Sequence, residues 1–93
     1  MPPFSPQEAQ SRLVGLPGWK IEAGELVKTF QFNDFRASLH FVNGVGELAE
    51  QAGHHPDIDI RYNRVRLALT THDAGGLTQK DFDLAVQAQK LID

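Results

Sequence analysis

The chain has no cysteine, one methionine, one tryptophan and one tyrosine in 93 residues. Without cysteine there is no disulfide framework and no thiolate chemistry, so neither stability nor reactivity rests on sulfur. No apolar run approaches the roughly 18 residues that a membrane-crossing helix needs, and the N-terminus lacks the charged-then-apolar pattern of a secretory signal. The expectation is a soluble, cytoplasmic protein without a membrane partner. Basic residues are not in excess either: nine Lys and Arg against twelve Asp and Glu give a formal charge of −3. Duplex binding rests on neutralising phosphates, so nucleic acid is not an expected direct partner. No linker or low-complexity stretch interrupts the chain, and its apolar fraction of 41% and charged fraction of 23% are ordinary for a globular protein. A single domain over residues 1–93 follows. A chain of this size buries only somewhat over 60% of its unfolded surface, so its core is modest and oligomerisation would help it.

What the chain does have is a concentration of imidazoles. Three of its four histidines lie between Glu50 and Asp73, in the stretch EQAGHHPDIDIRYNRVRLALTTHD. His54 and His55 are adjacent and are followed by Pro56, which biases the residue before it toward extended angles. A helix carrying Glu50 is therefore expected to stop near Gly53. Beyond it, Ile58, Ile60 and Tyr62 alternate with Asp57, Asp59 and Arg61, and Val65, Leu67 and Leu69 alternate with Arg66, Ala68 and Thr70. Period-two patterns on both sides of a short break read as a hairpin with one buried face. With Asn63 and Arg64 as the two loop residues, Tyr62 pairs with Val65, Ile60 with Leu67 and Ile58 with Leu69. That register sets His55 opposite His72, with both rings on the face away from the apolar set, and sets Arg61 opposite Arg66, a like-charge pair.

In chain order, Ser5-Pro6-Gln7-Glu8 has the form of a helix start, with serine as cap, proline at the first helical position and glutamate three residues after the cap. This first helix is expected to run to about Val14. Trp19 and Ile21 open a strand, Ala23-Gly24-Glu25 breaks it, and Leu26 to Phe32 forms a second. Asn33 or Asp34 caps a long helix over about 34–52, whose Phe35, Leu39, Val42, Val45, Ala49 and Ala52 recur at helical spacing. After the 73–76 loop, Thr78 with Asp81 opens a last helix, with Phe82, Ala85, Val86 and Gln89 along one side and Leu84, Ala88 and Leu91 along another. The fold class is α+β: a two-layer arrangement, order α-β-β-α-β-β-α, with three helices on one face of a four-stranded antiparallel sheet. The other sheet face is left open, and the argued register puts His55 and His72 there, as a plausible small-molecule site. His40, isolated mid-helix, reads as a surface or packing residue. A zinc site is weighed and set aside: adjacent histidines at an extended turn diverge, and a fourth ligand is not evident.

The ordered motifs Glu50-x-x-x-His54-His55-Pro56, Tyr62-Asn63-x-Val65 and Thr70-Thr71-His72-Asp73-x-Gly75-Gly76-Leu77 resemble the pterin-4a-carbinolamine dehydratases. Length and element order extend the resemblance from about Ser5 to Ile92. It implies a hydro-lyase that eliminates water from a 4a-hydroxytetrahydropterin to give quinonoid dihydropterin, within the recycling of tetrahydrobiopterin. His54, His55 and His72 would be catalytic, with His54 and His55 as the acid/base pair and His72 as orienter. Glu50, Gly53, Pro56, Thr70, Thr71 and Asp73 would line the substrate. Histidine suits this chemistry because its ordinary pKa, about 6.5, lets it give and take protons near neutrality. No metal and no cofactor is implied, while a homodimer or homotetramer and a functional link to an aromatic amino acid hydroxylase are. The sequence departs from the family at Gly53, where animal members carry an acidic residue, and at Ile58, where many have tryptophan. The alternative reading is a non-catalytic dimerisation or assembly factor of the same fold, a role in which relatives can lose the histidines that are present here.

Overall fold

A computed structural model describes residues 2–93. Helix α1 (Pro6–Ser11) starts at Ser5, whose Oγ accepts from the Glu8 N–H at 3.2 Å while Glu8 Oε1 accepts from the Ser5 N–H at 3.0 Å. The helix tightens into a 3-10 turn over Arg12–Gly15, so the helical run reaches the expected end in a narrower coil. Strands β1 (Lys20–Glu22) and β2 (Glu25–Gln31) form the first hairpin. Its turn has two left-handed residues, Ala23 at φ 51° and Gly24 at φ 79°. Asp34 caps α2 (Phe35–Ala52) by accepting from the Ala37 N–H at 2.8 Å. Strands β3 (Asp57–Arg61) and β4 (Arg64–Leu69) follow, then a 3-10 turn over His72–Ala74, and α3 (Gln79–Lys90) ends the chain. No helix among the described residues is long and apolar enough to cross a membrane.

The element order and the four-stranded antiparallel sheet are those expected, and the strands lie in the order β1-β2-β4-β3. The two hairpins meet along β2 and β4, where Leu26 pairs with Leu69, Lys28 with Leu67 and Phe30 with Val65. These are the residues that face the helices, and Leu26, Val65, Leu67 and Leu69 are each 0–1% exposed. Phe41, Val45 and Ala49 of α2 and Phe82, Leu84, Ala85 and Ala88 of α3 close over them. Full burial of a large apolar side chain stabilises by about 1.5–3 kcal/mol, and this cluster is the core. Polar tips are accommodated at its margin: Gln89 Oε1 accepts from Trp19 Nε1 at 3.1 Å and from Lys28 Nζ at 2.7 Å.

Three sequence expectations are corrected. The buried face of α2 is rotated from the one read: Ser38, Phe41, Val45 and Ala49 are inside, while Phe35 and Leu39 are exposed. The helix approaches the sheet over β4, and its opposite flank has no layer to meet. The second hairpin is shifted by two residues. Its turn is Tyr62-Asn63, with Tyr62 at φ 51°, so Arg61 pairs with Arg64, Ile60 with Val65 and Ile58 with Leu67. A two-residue shift preserves the face of every side chain, but it sets Asp59 opposite Arg66 and moves the like-charge contact of Arg61 from Arg66 to Arg64. Finally, Ile58 and Tyr62 are not buried, because β3 is the sheet edge and the helices do not extend over it.

The open face is partly roofed by its own side chains. Arg66 Nη2 on β4 lies 3.6 Å from Glu22 Oε1 on β1, so the pair spans the intervening strand β2. The register puts Val27 beneath that span, between Glu25 and Thr29. Val27 is 1% exposed although no helix covers it.

Candidate active site

Helix α2 carries Glu50 into its last turn, and Gly53 ends the helix at φ 62°. Glycine takes that left-handed conformation at no steric cost, and it lets the His54 N–H return to the Ala49 carbonyl at 3.1 Å. Pro56 follows and is half-buried. The side chains of the adjacent histidines then part, as successive residues of an extended segment do. His54 turns toward α3, where its Nε2 lies 2.6 Å from Asp81 Oδ1. His55 turns back to α2, where its Nε2 lies 2.5 Å from Glu50 Oε2.

These two imidazole–carboxylate pairs differ in their surroundings. His54 has an 11% exposed side chain and Asp81 a fully buried one, whereas His55 and Glu50 are 61% and 75% exposed. Asp81 is held from every side. Its Oδ2 accepts from the Thr71 hydroxyl at 2.8 Å and from the Thr78 backbone N–H at 2.9 Å. Thr71 Oγ1 is also 2.8 Å from Thr78 Oγ1. Because Thr71 has spent its one proton on the carboxylate, Thr78 is the donor of that bond. No buried side-chain polar atom among the described residues lacks a partner.

The 71–76 segment closes on itself. Thr71 and Gly76 exchange backbone hydrogen bonds, the N–H groups of Ala74 and Gly75 return to the Thr71 carbonyl, and Gly75 takes φ 80°. His72 stands on this loop, exposed, in the 3-10 turn. Extending the observed β3–β4 register sets His55 opposite Thr70, not opposite His72 as the sequence reading had it. Thr70 Oγ1 lies 3.4 Å from the Gly24 carbonyl. Asp73 is exposed, and it lines with Thr71, Ala74, Thr78 and Lys80 a recess of about 170 Å³ beside the Asp81 network. A larger groove, of about 650 Å³, lies at the N-terminal half of α2, between His40, Phe41 and the C-terminal Leu91 and Ile92. It is lined mainly by apolar groups and contains none of the carboxylate-paired imidazoles, so volume and chemistry part company here. Among the described residues no three His, Asp or Glu side chains cluster as a metal site.

The structure thus brings Glu50 to His55, and it brings Thr71 to His54 through Asp81. Asp81 and Thr78 had been read only as the start of α3, which they also are: the Asp81 N–H donates to the Thr78 carbonyl at 3.1 Å. A helix-start aspartate is unremarkable in a sequence. What distinguishes this one is a contact across 27 positions, for which local spacing gives no signal.

Known proteins resemble this chain over nearly its whole length. A protein of Acidobacterium capsulatum described as a candidate pterin-4-alpha-carbinolamine dehydratase is 58% identical over 99% of this chain and 100% of its own. One of Chloroflexus aurantiacus with the same description is 56% identical over 99% of each chain. A solved structure from Brucella melitensis, named a transcriptional coactivator/pterin dehydratase, superposes with a TM-score of 0.94 at 28% identity, covering 98% of this chain and 99% of that one. A pterin dehydratase-like protein identified as a RuBisCO assembly factor of the alpha-carboxysome shares the fold, with a TM-score of 0.69 at 22% identity over 82% of this chain and 90% of that one. Residues 2–91 match the family described as pterin 4 alpha carbinolamine dehydratase. With that match over nearly its whole length, the chain belongs to the pterin 4 alpha carbinolamine dehydratase family.

Proposed function

We propose that this protein is a 4a-hydroxytetrahydropterin dehydratase, a hydro-lyase whose histidines transfer the protons. The observation that carries the reading is the His54–His55 turn, in which consecutive imidazoles are each engaged by a carboxylate on a different helix. Loss of the 4a-hydroxyl as water needs a proton delivered to the departing oxygen and a proton taken from the adjacent ring nitrogen. Both are transfers for which a positioned imidazole typically contributes about 10²–10⁴-fold. His54 and His55 form the acid/base pair and His72 orients the substrate. Glu50, Gly53, Pro56, Thr70, Thr71 and Asp73 line the substrate or hold what does, and no metal or cofactor takes part. The quinonoid dihydropterin so formed, once a separate two-electron reduction has restored the tetrahydropterin, serves an aromatic amino acid hydroxylase in the cytoplasm.

The test is stopped-flow dehydration of freshly generated 4a-hydroxytetrahydropterin with wild type and His55→Ala. Acceleration by wild type, lost in the variant, supports the reading. A folded wild type that gives no acceleration overturns it in favour of a non-catalytic assembly role.

The working form is a homo-oligomer. The outer strand β3 leaves an unpaired edge, and such edges are closed in many proteins by pairing between copies. An antiparallel β3–β3 pairing centred on Asp59 would put Asp57 opposite Arg61 of the second copy and Ile58 opposite its Ile60. On one face two Asp57–Arg61 pairs then flank a central Asp59–Asp59 contact, whose like charges are offset by the Arg61 that each chain already holds 3.0 Å from its Asp59, and the 37% exposed Ile58 is covered on the other. A monomer by sedimentation at micromolar concentration refutes this assembly.

A further inference from the structure

The hydrogen bonds around Asp81 determine which nitrogen of His54 carries its proton. We infer that Asp81 is a positioning residue that locks His54 as the Nε2–H tautomer, leaving Nδ1 as the nitrogen that exchanges a proton with the substrate. The catalytic consequence rests on the dehydratase reading; the tautomer does not.

Both oxygens of Asp81 are acceptors. The Thr78 N–H and the Thr71 hydroxyl donate to Oδ2, at 2.9 and 2.8 Å, and the Thr78 hydroxyl supports the latter bond from behind. Oδ1 is left to His54 Nε2 at 2.6 Å. The only proton available to that contact sits on Nε2, and in the neutral ring Nδ1 is then a lone pair. The carboxylate has no exposed surface and His54 little, so solvent does not compete for the bond. The Glu50–His55 pair shares the Nε2 contact but is largely exposed, and nothing comparable fixes its carboxylate. The two rings of the turn are therefore unequal: one is set by a buried, fully bonded carboxylate and the other is paired with an exposed one.

Replacing the carboxylate by its amide reverses the arrangement in a specific way. In Asp81→Asn a single oxygen accepts. The Thr78 backbone N–H has no alternative to donating, so the amide oxygen occupies the Oδ2 place and the amide NH₂ the Oδ1 place. That NH₂ donates to His54 Nε2, which accepts only when the proton has moved to Nδ1. The substitution keeps the shape of the side chain and inverts the tautomer. The nitrogen facing the substrate then carries a proton where wild type carries a lone pair.

The experiment is long-range ¹H–¹⁵N correlation spectroscopy of the histidine rings in the uniformly ¹⁵N-labelled full chain, without substrate, well above the ordinary imidazole pKa of about 6.5. His54→Gln assigns the His54 signals. Wild type is expected to show the proton on Nε2, protected from exchange with water, and Asp81→Asn to show it on Nδ1. Thr71→Val, which removes one donor and keeps the carboxylate, is expected to retain Nε2–H. A wild-type proton on Nδ1 overturns the inference whether or not Asp81→Asn folds, as does an Nε2 proton that persists in a folded Asp81→Asn or is lost in Thr71→Val. In the dehydration assay Asp81→Asn is expected to lose about 10²–10⁴-fold in kcat with KM little changed. A wild type with the Nε2–H tautomer and no turnover would refute the dehydratase reading alone. Tautomer inversion with undiminished kcat would show that Nδ1 is not the exchanging atom.

Discussion

Asn63 and Phe32 hold one another by two hydrogen bonds of opposite sense: the Phe32 N–H donates to the Asn63 carbonyl at 2.8 Å, and Asn63 Nδ2 donates to the Phe32 carbonyl at 3.0 Å. The tip of the second hairpin is thereby fastened to the chain leaving β2. This fastening favours the Tyr62-Asn63 turn over the Asn63-Arg64 turn that residue patterning suggested. Asn63→Ala is expected to lower stability by about 1–2 kcal/mol, since it removes one bond and leaves a half-buried carbonyl short of its donor. Urea unfolding monitored by circular dichroism gives the value, and an unchanged midpoint would show that the side chain does not pin the turn.

Glu50 engages His55 in an exposed setting, so its substitution should tune rather than abolish turnover. Glu50→Gln is expected to reduce kcat by about tenfold, less than the roughly 10²–10⁴-fold expected for His55→Ala. Parallel stopped-flow measurements decide the order. Equal losses would mean that His55 acts only when Glu50 is ionised beside it.

The Ser5–Glu8 capping box predicts a pH dependence. The Ser5 backbone N–H, and secondarily its side chain, hold the Glu8 carboxyl below its ordinary value of 4.5. A carboxyl depressed in the folded state contributes stability above its unfolded value, and that contribution is lost as pH falls through the folded one. Glu8→Gln should therefore shrink the difference in melting temperature between neutral pH and a pH below the ordinary glutamate range. A difference identical to that of wild type would show that the box does not form in solution.

Gln89 is a single acceptor serving two donors at the edge of the core, Trp19 Nε1 and Lys28 Nζ. Gln89→Leu preserves bulk and deprives both, although Lys28 keeps the Pro17 carbonyl at 3.2 Å. The expected loss is about 1–3 kcal/mol, read from chemical denaturation, with the tryptophan fluorescence shifted in the folded state. A stabilised variant would mean that apolar packing outweighs the bridge.

Local signals in the sequence carried most of the architecture. The Ser5 and Asp34 caps, the left-handed stop at Gly53 and the alternation of β2 and β4 are each decided by a few neighbouring residues, and each appears where those residues place it. Properties decided at a distance were harder to read. The apolar period of α2 is satisfied by two adjacent stripes, and only the position of the sheet selects Phe41 and Val45 over Phe35 and Leu39. Ile58 alternates like a buried residue but lies on an edge strand, a fact of strand order rather than of pattern. At the candidate site, Glu50, His54 and His55 were legible because they are neighbours. Asp81 was not, since its helix-start role accounts for it locally.

The His54–Asp81 contact joins the end of α2 to the beginning of α3, elements separated in the chain by the whole second hairpin. It therefore acts as a gauge of the assembled domain: if the two helices drift apart, the imidazole loses its anion before the core opens to water. Turnover should fade at lower denaturant concentrations than those that erase the helical signal. A ligand seated against His54 would pull the helices together, and would raise the unfolding temperature by linkage even though it touches little of the core.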